Sequence, residues 1–201
     1  MFKRFSLFIV MILSCSVSAQ TLLVVGDSLS AGYQMSIEQA WPSLLPNELE
    51  KQAQDVTVIN ASVSGDTSGN GLAKLPALLT EYEPTSVLIA LGANDGLRGF
   101  PPQVLKNNLQ QMVEMIESTG AKAIMMQIRV PPNYGKRYQT LFEDVYPQLA
   151  EEAKVALIPF FLEQVILNQE WMMADGLHPK PAAQPWIAEF IATNLTPYFP
   201  L

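Results

Sequence analysis

Five short apolar runs alternate along this chain with longer stretches of helical pattern, and that alternation leaves few folds open. The runs are Leu22-Leu23-Val24-Val25, Val56 to Ala61, Ser86 to Leu91, Ala123 to Ile128 and Val155 to Pro159. They are rich in β-branched and aliphatic residues and bounded by polar or glycine-bearing segments, so each reads as a strand buried on both faces. Between and after them, apolar residues recur at helical spacing. The predicted helices cover Trp41 to Gln54, the stretch with Leu72, Leu75, Leu78 and Leu79, Pro101 to Ser118, Arg137 to Ala153, Phe160 to Asn168 and Ala182 to Leu195. Pro46 and Pro147 are local blemishes in two of them. The pattern predicts an α/β protein with three layers, a central and mainly parallel five-stranded sheet covered by helices on both faces.

Residues 1–19 stand apart from this alternation. Lys3 and Arg4 form a basic start, Phe5 to Leu13 an apolar centre, and Val17-Ser18-Ala19 a small-residue cleavage site before Gln20. That is the pattern of a secretory signal peptide, and its apolar part is too short to span a bilayer. The context of Cys15 matches a lipoprotein site poorly. The expectation is cleavage after Ala19, one domain over residues 20–201, no stable membrane anchor, and export to the periplasm of a bacterium or beyond it. Loss of Lys3 and Arg4 would take the formal charge from -7 to -9 and remove the single cysteine. An acidic chain of this kind is no general binder of nucleic acid or anionic membrane. Without a thiol the mature protein has no disulfide, no cysteine nucleophile and no cysteine–zinc site. Nothing in the sequence demands more than a monomer.

The chain holds one histidine, His178. This rules out sites built on several histidines, and no metal or other cofactor is expected. A single imidazole is still free to act as a base, since its ordinary pKa of about 6.5 suits proton transfer at neutral pH. Alone, a lone histidine is more often structural. Asp175 lies three residues before it with Gly176 between, close enough for the carboxylate to accept the Nδ1–H and leave Nε2 for a hydroxyl. The plainer alternative is a surface Asp-Gly turn.

Ser28 follows the first run, in Gly26-Asp27-Ser28-Leu29-Ser30, where open α/β sheets carry their reactive groups. Gly65 follows the second run and Asn94 the third. Gly65 is either an ordinary turn glycine or a bare backbone N–H at a helix start. Asn94 is either a turn residue or an amide donor. In a parallel sheet all these strand ends face one edge. No Gly-x-Ser-x-Gly elbow, phosphate loop, dinucleotide fingerprint or Ser-x-x-Lys occurs.

Together, Gly26-Asp27-Ser28-Leu29-Ser30, Gly65, Gly92-Ala93-Asn94-Asp95 and Asp175-Gly176-Leu177-His178-Pro179 resemble the four blocks of the SGNH (GDSL-type) hydrolases. Within them the chain is similar to the exported bacterial thioesterase I / protease I / lysophospholipase group. The resemblance implies a flavodoxin-like fold, Ser28 as nucleophile, His178 as base and Asp175 as its orienter. It also implies an oxyanion hole from the N–H groups of Ser28 and Gly65 and the Asn94 amide, with no metal. It implies that Gly96, Leu97, Arg98, Gly99, Phe100 and Pro101 form a segment closing over the acyl chain. Ala93 departs from the glycine common there, which matters only if that backbone needs a positive φ. The implied substrates are fatty-acyl esters, thioesters or lysophospholipids. Arg98, Arg129, Lys136 and Arg137 are either a local positive patch for an anionic substrate or ordinary solvated charges. A carbohydrate O-deacetylase and a non-catalytic lipid- or glycan-binding protein are the two rival readings.

Overall fold

The computed structural model describes residues 20–199, and the signal-peptide expectation lies outside them. Five parallel strands, β1 (Gln20–Gly26), β2 (Val56–Asn60), β3 (Ser86–Ala90), β4 (Lys122–Met126) and β5 (Ala156–Ile158), form one sheet in the order β2-β1-β3-β4-β5. Leu22 to Val25 of β1 have no exposed surface, and all of β3 is buried, which accounts for their unbroken apolar runs. The sheet is the doubly wound arrangement expected from the alternation.

Nine α-helices occur among the described residues: α1 (Ser28–Ala31), α2 (Trp41–Glu50), α3 (Ser68–Tyr82), α4 (Ala93–Leu97), α5 (Pro102–Ser118), α6 (Lys136–Glu143), α7 (Val145–Ala153), α8 (Leu162–Val165) and α9 (Gln184–Leu195). α2 packs on α9, while α3 packs on α5 and α5 on α7, giving the two outer layers. This division follows from handedness. The β1-to-β2 crossover runs toward one edge of the sheet and the later crossovers toward the other, so right-handed connections put α2 opposite α3, α5 and α7.

Several elements differ from the sequence reading. The helix expected over Arg137 to Ala153 is broken at Asp144 into α6 and α7. Pro147 has no N–H to give the Glu143 carbonyl, and the Gln127 side chain donates to that carbonyl instead at 3.1 Å. Pro147 thereby falls in the first turn of a new helix, where it is tolerated. Phe160 to Asn168 holds only the short α8, with turns on each side. α2 stops at Glu50, and α9 starts at Gln184 after a 3₁₀ turn over Pro181–Ala183. The five-residue α4, absent from the reading, lies inside the loop after β3.

Trp41 ties the layers to the sheet edge. Its ring is wholly buried, its indole N–H donates to the Leu29 carbonyl at 3.0 Å, and its backbone N–H donates to the Gln184 side chain of α9 at 2.9 Å. Trp41→Phe would keep an aromatic ring and strand the Leu29 carbonyl. The expected loss is about 1–3 kcal/mol, read as a lower urea midpoint at unchanged m-value.

Candidate active site

Ser28 is the first residue of α1, separated from the fully buried end of β1 by Asp27 alone. α1 has four residues, too few to hold itself, and its ends are satisfied by side chains. The Asp27 Oδ1 accepts the Leu29 N–H at 3.0 Å as N-cap. At the other end Trp41 donates to the Leu29 carbonyl and the Asn60 amide donates to the Ser30 carbonyl at 2.9 Å. Ser28 is therefore clamped from β2, α2 and its own cap.

His178 arrives from a loop between α8 and α9. Gly176 takes φ +68, which lets the chain double back over Asp175. Asp175 Oδ1 accepts the N–H groups of Leu177 and His178 at 2.9 and 3.0 Å, and its Oδ2 lies 2.7 Å from His178 Nδ1. A carboxylate only accepts, so Nδ1 carries the proton and Nε2 is left as acceptor. Nε2 lies 2.8 Å from Ser28 Oγ. The Tyr33 ring stacks on the imidazole, with centroids 4.1 Å apart and planes at 27°. Burial pushes the Asp175 carboxyl up, but the Leu177 N–H, the imidazole and the His178 N–H outweigh it and hold the group at about 2.

Gly65 and Asn94 line the same cavity as Ser28 and His178. Gly65 has φ +88 and open space where a side chain would point, so backbone conformation rather than crowding requires glycine. The N–H groups of Ser28 and Gly65 make no hydrogen bond among the described residues. The Asn94 amide donates to the Asp66 carbonyl at 2.9 Å and approaches Asp27 Oδ2 at 3.5 Å. Ala93 is helical and the positive φ before Asn94 belongs to Gly92, so the alanine costs nothing there. Two further residues near Asn94 reach back to the Gly65 loop. Asp95, fully buried, accepts the Ser68 N–H at 2.8 Å and the Ser68 hydroxyl, and Arg98 donates to the Gly65 carbonyl at 3.1 Å.

A cavity of about 610 Å³ opens beside Ser28 Oγ. Of the segment Gly96 to Pro101, Leu97 alone lines it; Tyr134 and Tyr138 hold that segment through the Leu97 and Phe100 carbonyls, each at 2.7 Å. The other walls are Val130-Pro131-Pro132 after β4 and Phe160, Leu162 and Ile166 around α8. Sequence reasoning named none of these walls, nor Tyr33, as part of a site, because lining a cavity leaves no mark in residue type or spacing. Arg129 reaches the rim but is spent on Glu163, with Nε–Oε1 at 2.6 Å, and on Glu143 at 3.8 Å.

A hydroxyl bonded to an imidazole, an ionised carboxylate behind that imidazole and free N–H donors in front form a set suited to acyl transfer. Among the described residues no group of three or more His, Cys, Asp or Glu is placed to hold a metal ion. Because Asp175 is held at about 2, it stays ionised where an imidazole takes up its proton. Labelling of Ser28 by a fluorophosphonate should therefore fall tenfold per pH unit on the acid side, a one-proton slope. Asp175→Asn should slow labelling by about 10⁴. A two-proton slope, or labelling that survives in Ser28→Ala, would contradict the arrangement.

Comparison with known proteins gives a consistent picture. The GDSL-like Lipase/Acylhydrolase family profile matches residues 24–184. An arylesterase of Vibrio mimicus is 65% identical over 182 residues, covering 90% of this chain and 91% of its own. The thioesterase 1/protease 1/lysophospholipase L1 of Escherichia coli K12 is 49% identical over 191 residues, covering 95% and 90%. Among solved structures, TesA superposes with a TM-score of 0.85 at 49% identity over 90% of this chain and all of that one. The esterase EstA of a Pseudoalteromonas species, in a form inhibited by monoethylphosphonate, superposes with a TM-score of 0.86 at 41% identity, covering 89% and 98%.

Proposed function

Since the chain belongs to the GDSL-like lipase/acylhydrolase family, we propose that it is a serine hydrolase cleaving fatty-acyl esters and thioesters through an acyl-enzyme on Ser28. The observation that carries this reading is the Ser28 Oγ–His178 Nε2 contact of 2.8 Å at the mouth of a cavity walled by aliphatic and aromatic side chains.

The geometry supports a two-step reaction. His178 Nε2 takes the Ser28 proton as Oγ attacks the acyl carbonyl, and Asp175 stabilises the imidazolium through Nδ1. The carbonyl oxygen, now negative, receives hydrogen bonds from the Ser28 and Gly65 N–H groups and the Asn94 amide. Loss of one such donor costs about 10²–10³ in rate. Collapse of the tetrahedral species expels the alcohol or thiol, with the proton returned from His178. Water, deprotonated by His178, then attacks the acyl-enzyme and frees Ser28.

The cavity suits an acyl chain better than a sugar, whose hydroxyl groups would need polar walls. Its volume is in the range that encloses a small ligand. The pairing of Arg129 with Glu163 and Glu143 favours neutral or zwitterionic acyl esters, lysophospholipids included, over a strongly anionic thioester. One chain supplies every group of the site, so a monomer suffices. Among the described residues no helix is long and apolar enough to cross a membrane. With residues 1–19 as a signal peptide, the enzyme would work outside the cytoplasm.

Rates on p-nitrophenyl esters and acyl thioesters of two to sixteen carbons test the reading. The expected kcat/KM rises with chain length beyond acetyl, and Ser28→Ala abolishes it. A maximum at acetyl would shift the assignment to a deacetylase. Failure of Ser28 to react with a fluorophosphonate would leave only a binding protein.

A further inference from the structure

Asp27 is a buried carboxyl that the acyl-transfer scheme does not use. It is 1% exposed, at the end of β1. Its two oxygens do different things. Oδ1 caps α1 through the Leu29 N–H, whereas Oδ2 faces the Asn94 amide nitrogen at 3.5 Å. That nitrogen carries two hydrogens. One is committed to the Asp66 carbonyl at 2.9 Å. The other is the one an oxyanion would receive, and Asp27 Oδ2 is its nearest competitor within the protein.

We propose that Asp27 is a positioning residue acting through Asn94, neutral in the working enzyme and inhibitory when ionised. The proposal rests on the serine-hydrolase reading above. An ionised Oδ2 draws the free Asn94 N–H toward itself and sets a negative charge beside the developing oxyanion. A neutral carboxyl with its proton on Oδ2 sets no charge beside the oxyanion, is a weaker acceptor for Asn94, and still caps α1 through its Oδ1 carbonyl.

The surroundings favour the neutral form. Asp95 on α4 and Asp66 before α3 both bring negative charge toward Asp27. The Asp66 charge is offset by Lys74 at 2.8 Å, while Asp95 has no cation partner among the described residues. Tyr146 on α7 is buried and sees the fields of Asp95 and Asp27, and its phenol, raised well above the usual range by burial, brings no positive charge. Across the site stand His178 with the Asp175 carboxylate behind it, the Tyr33 phenol stacked on the imidazole, and Arg98 on the Gly65 carbonyl. Burial pushes the Asp27 carboxyl up to about 7; the Leu29 N–H opposes this, and Asp95 and Asp66 add to it.

The test is the alkaline side of the pH profile, with a readout that does not need turnover. In the wild-type chain kcat for a butyrate ester should fall by tenfold or more between pH 7 and 9 at steady KM. Asp27→Asn keeps a good helix cap and cannot ionise, so its kcat should stay level over that range. The same decline in Asp27→Asn, or none in the wild type, overturns the proposal. Independently, the side-chain ¹⁵N–H signals of Asn94 should titrate with a midpoint near 7 in a Ser28→Ala/His178→Gln chain, which removes the imidazole, and should be still once Asp27→Asn is added. Signals that do not move while Asp27 is present overturn the proposal even where Asp27→Asn fails to fold. Fluorophosphonate labelling of Ser28 decides the underlying reading separately.

Discussion

The switch of strand order at β1 is the constraint on which the rest of the molecule depends. β1 pairs with β2 on one side and β3 on the other; the chain runs from β1 out to β2, then crosses back past β1 to β3 and on to the far edge. The loops after β1, β2 and β3 therefore border one crevice, where ligands of open α/β sheets are held. Ser28, Gly65 and Asn94 each sit in one of those loops. Adjacent strands bring the loops near, but not to within hydrogen-bonding tolerance. That is left to Asp95, whose carboxylate takes both donors of Ser68, and to Arg98 and Asn94, which bind carbonyls of the same loop. α4 thus works less as a helix than as a bracket holding the loop after β2.

Two aspartates near Ser28 show how environment divides one side chain into opposite roles. Asp175 is partly exposed, takes three hydrogen bonds and is held at about 2, so its charge is permanent at working pH. Asp27 is buried, takes one firm bond and is raised to about 7. The first charge faces an imidazole that becomes positive during the proposed reaction. The second would face an oxygen that becomes negative. Separation of carboxyl groups by their surroundings is a recurrent way of assigning acid and base functions. The stability signs are opposite as well. The Asp175 interactions are fully present above the ordinary carboxylate range and are lost as pH falls toward 2. Asp27 stabilises the folded state most at low pH, and that benefit shrinks as pH rises from about 4 to about 7.

The parts of this picture that could be read from sequence are those set by local chemistry. Buried parallel strands need apolar runs, so all five were visible, with ends off by a residue or two. Asp175 and His178 are three residues apart with Gly176 between, so their contact is a property of one turn. The break at Asp144 was not visible, because the carbonyl that Pro147 leaves without its helical partner is satisfied from Gln127, sixteen positions away in sequence from Glu143. Tyr33 stood in a stretch that read as a turn, and only the fold lays its ring on His178. The cavity walls were missed for the same reason. Phe160, Leu162 and Ile166 fall in a stretch that reads as an ordinary helix, yet α8 is a single turn and these side chains border a hollow.

At the rim of that hollow the one cation among the described lining residues, Arg129, is already paired, which bears on the proposed acyl site. Arg129 would be the natural counter-ion for a phosphate at the mouth. Instead Glu163 takes its Nε at 2.6 Å, and Glu143 stands 3.8 Å from Nη1. Burial raises the Glu143 carboxyl, Arg129 opposes that rise, and Glu163 and Asp144 reinforce it. Three charges on three different segments therefore constrain one another. An incoming phosphate would have to displace a carboxylate already in place, whereas a neutral acyl chain need only replace water along Val130 and Ile166. Apolar burial gains about 25 cal/mol per Å² with no counter-ion required. On the proposed reading, discrimination among substrates then falls to the length and shape of the acyl chain, and the net charge of the protein further weakens any approach by an anion.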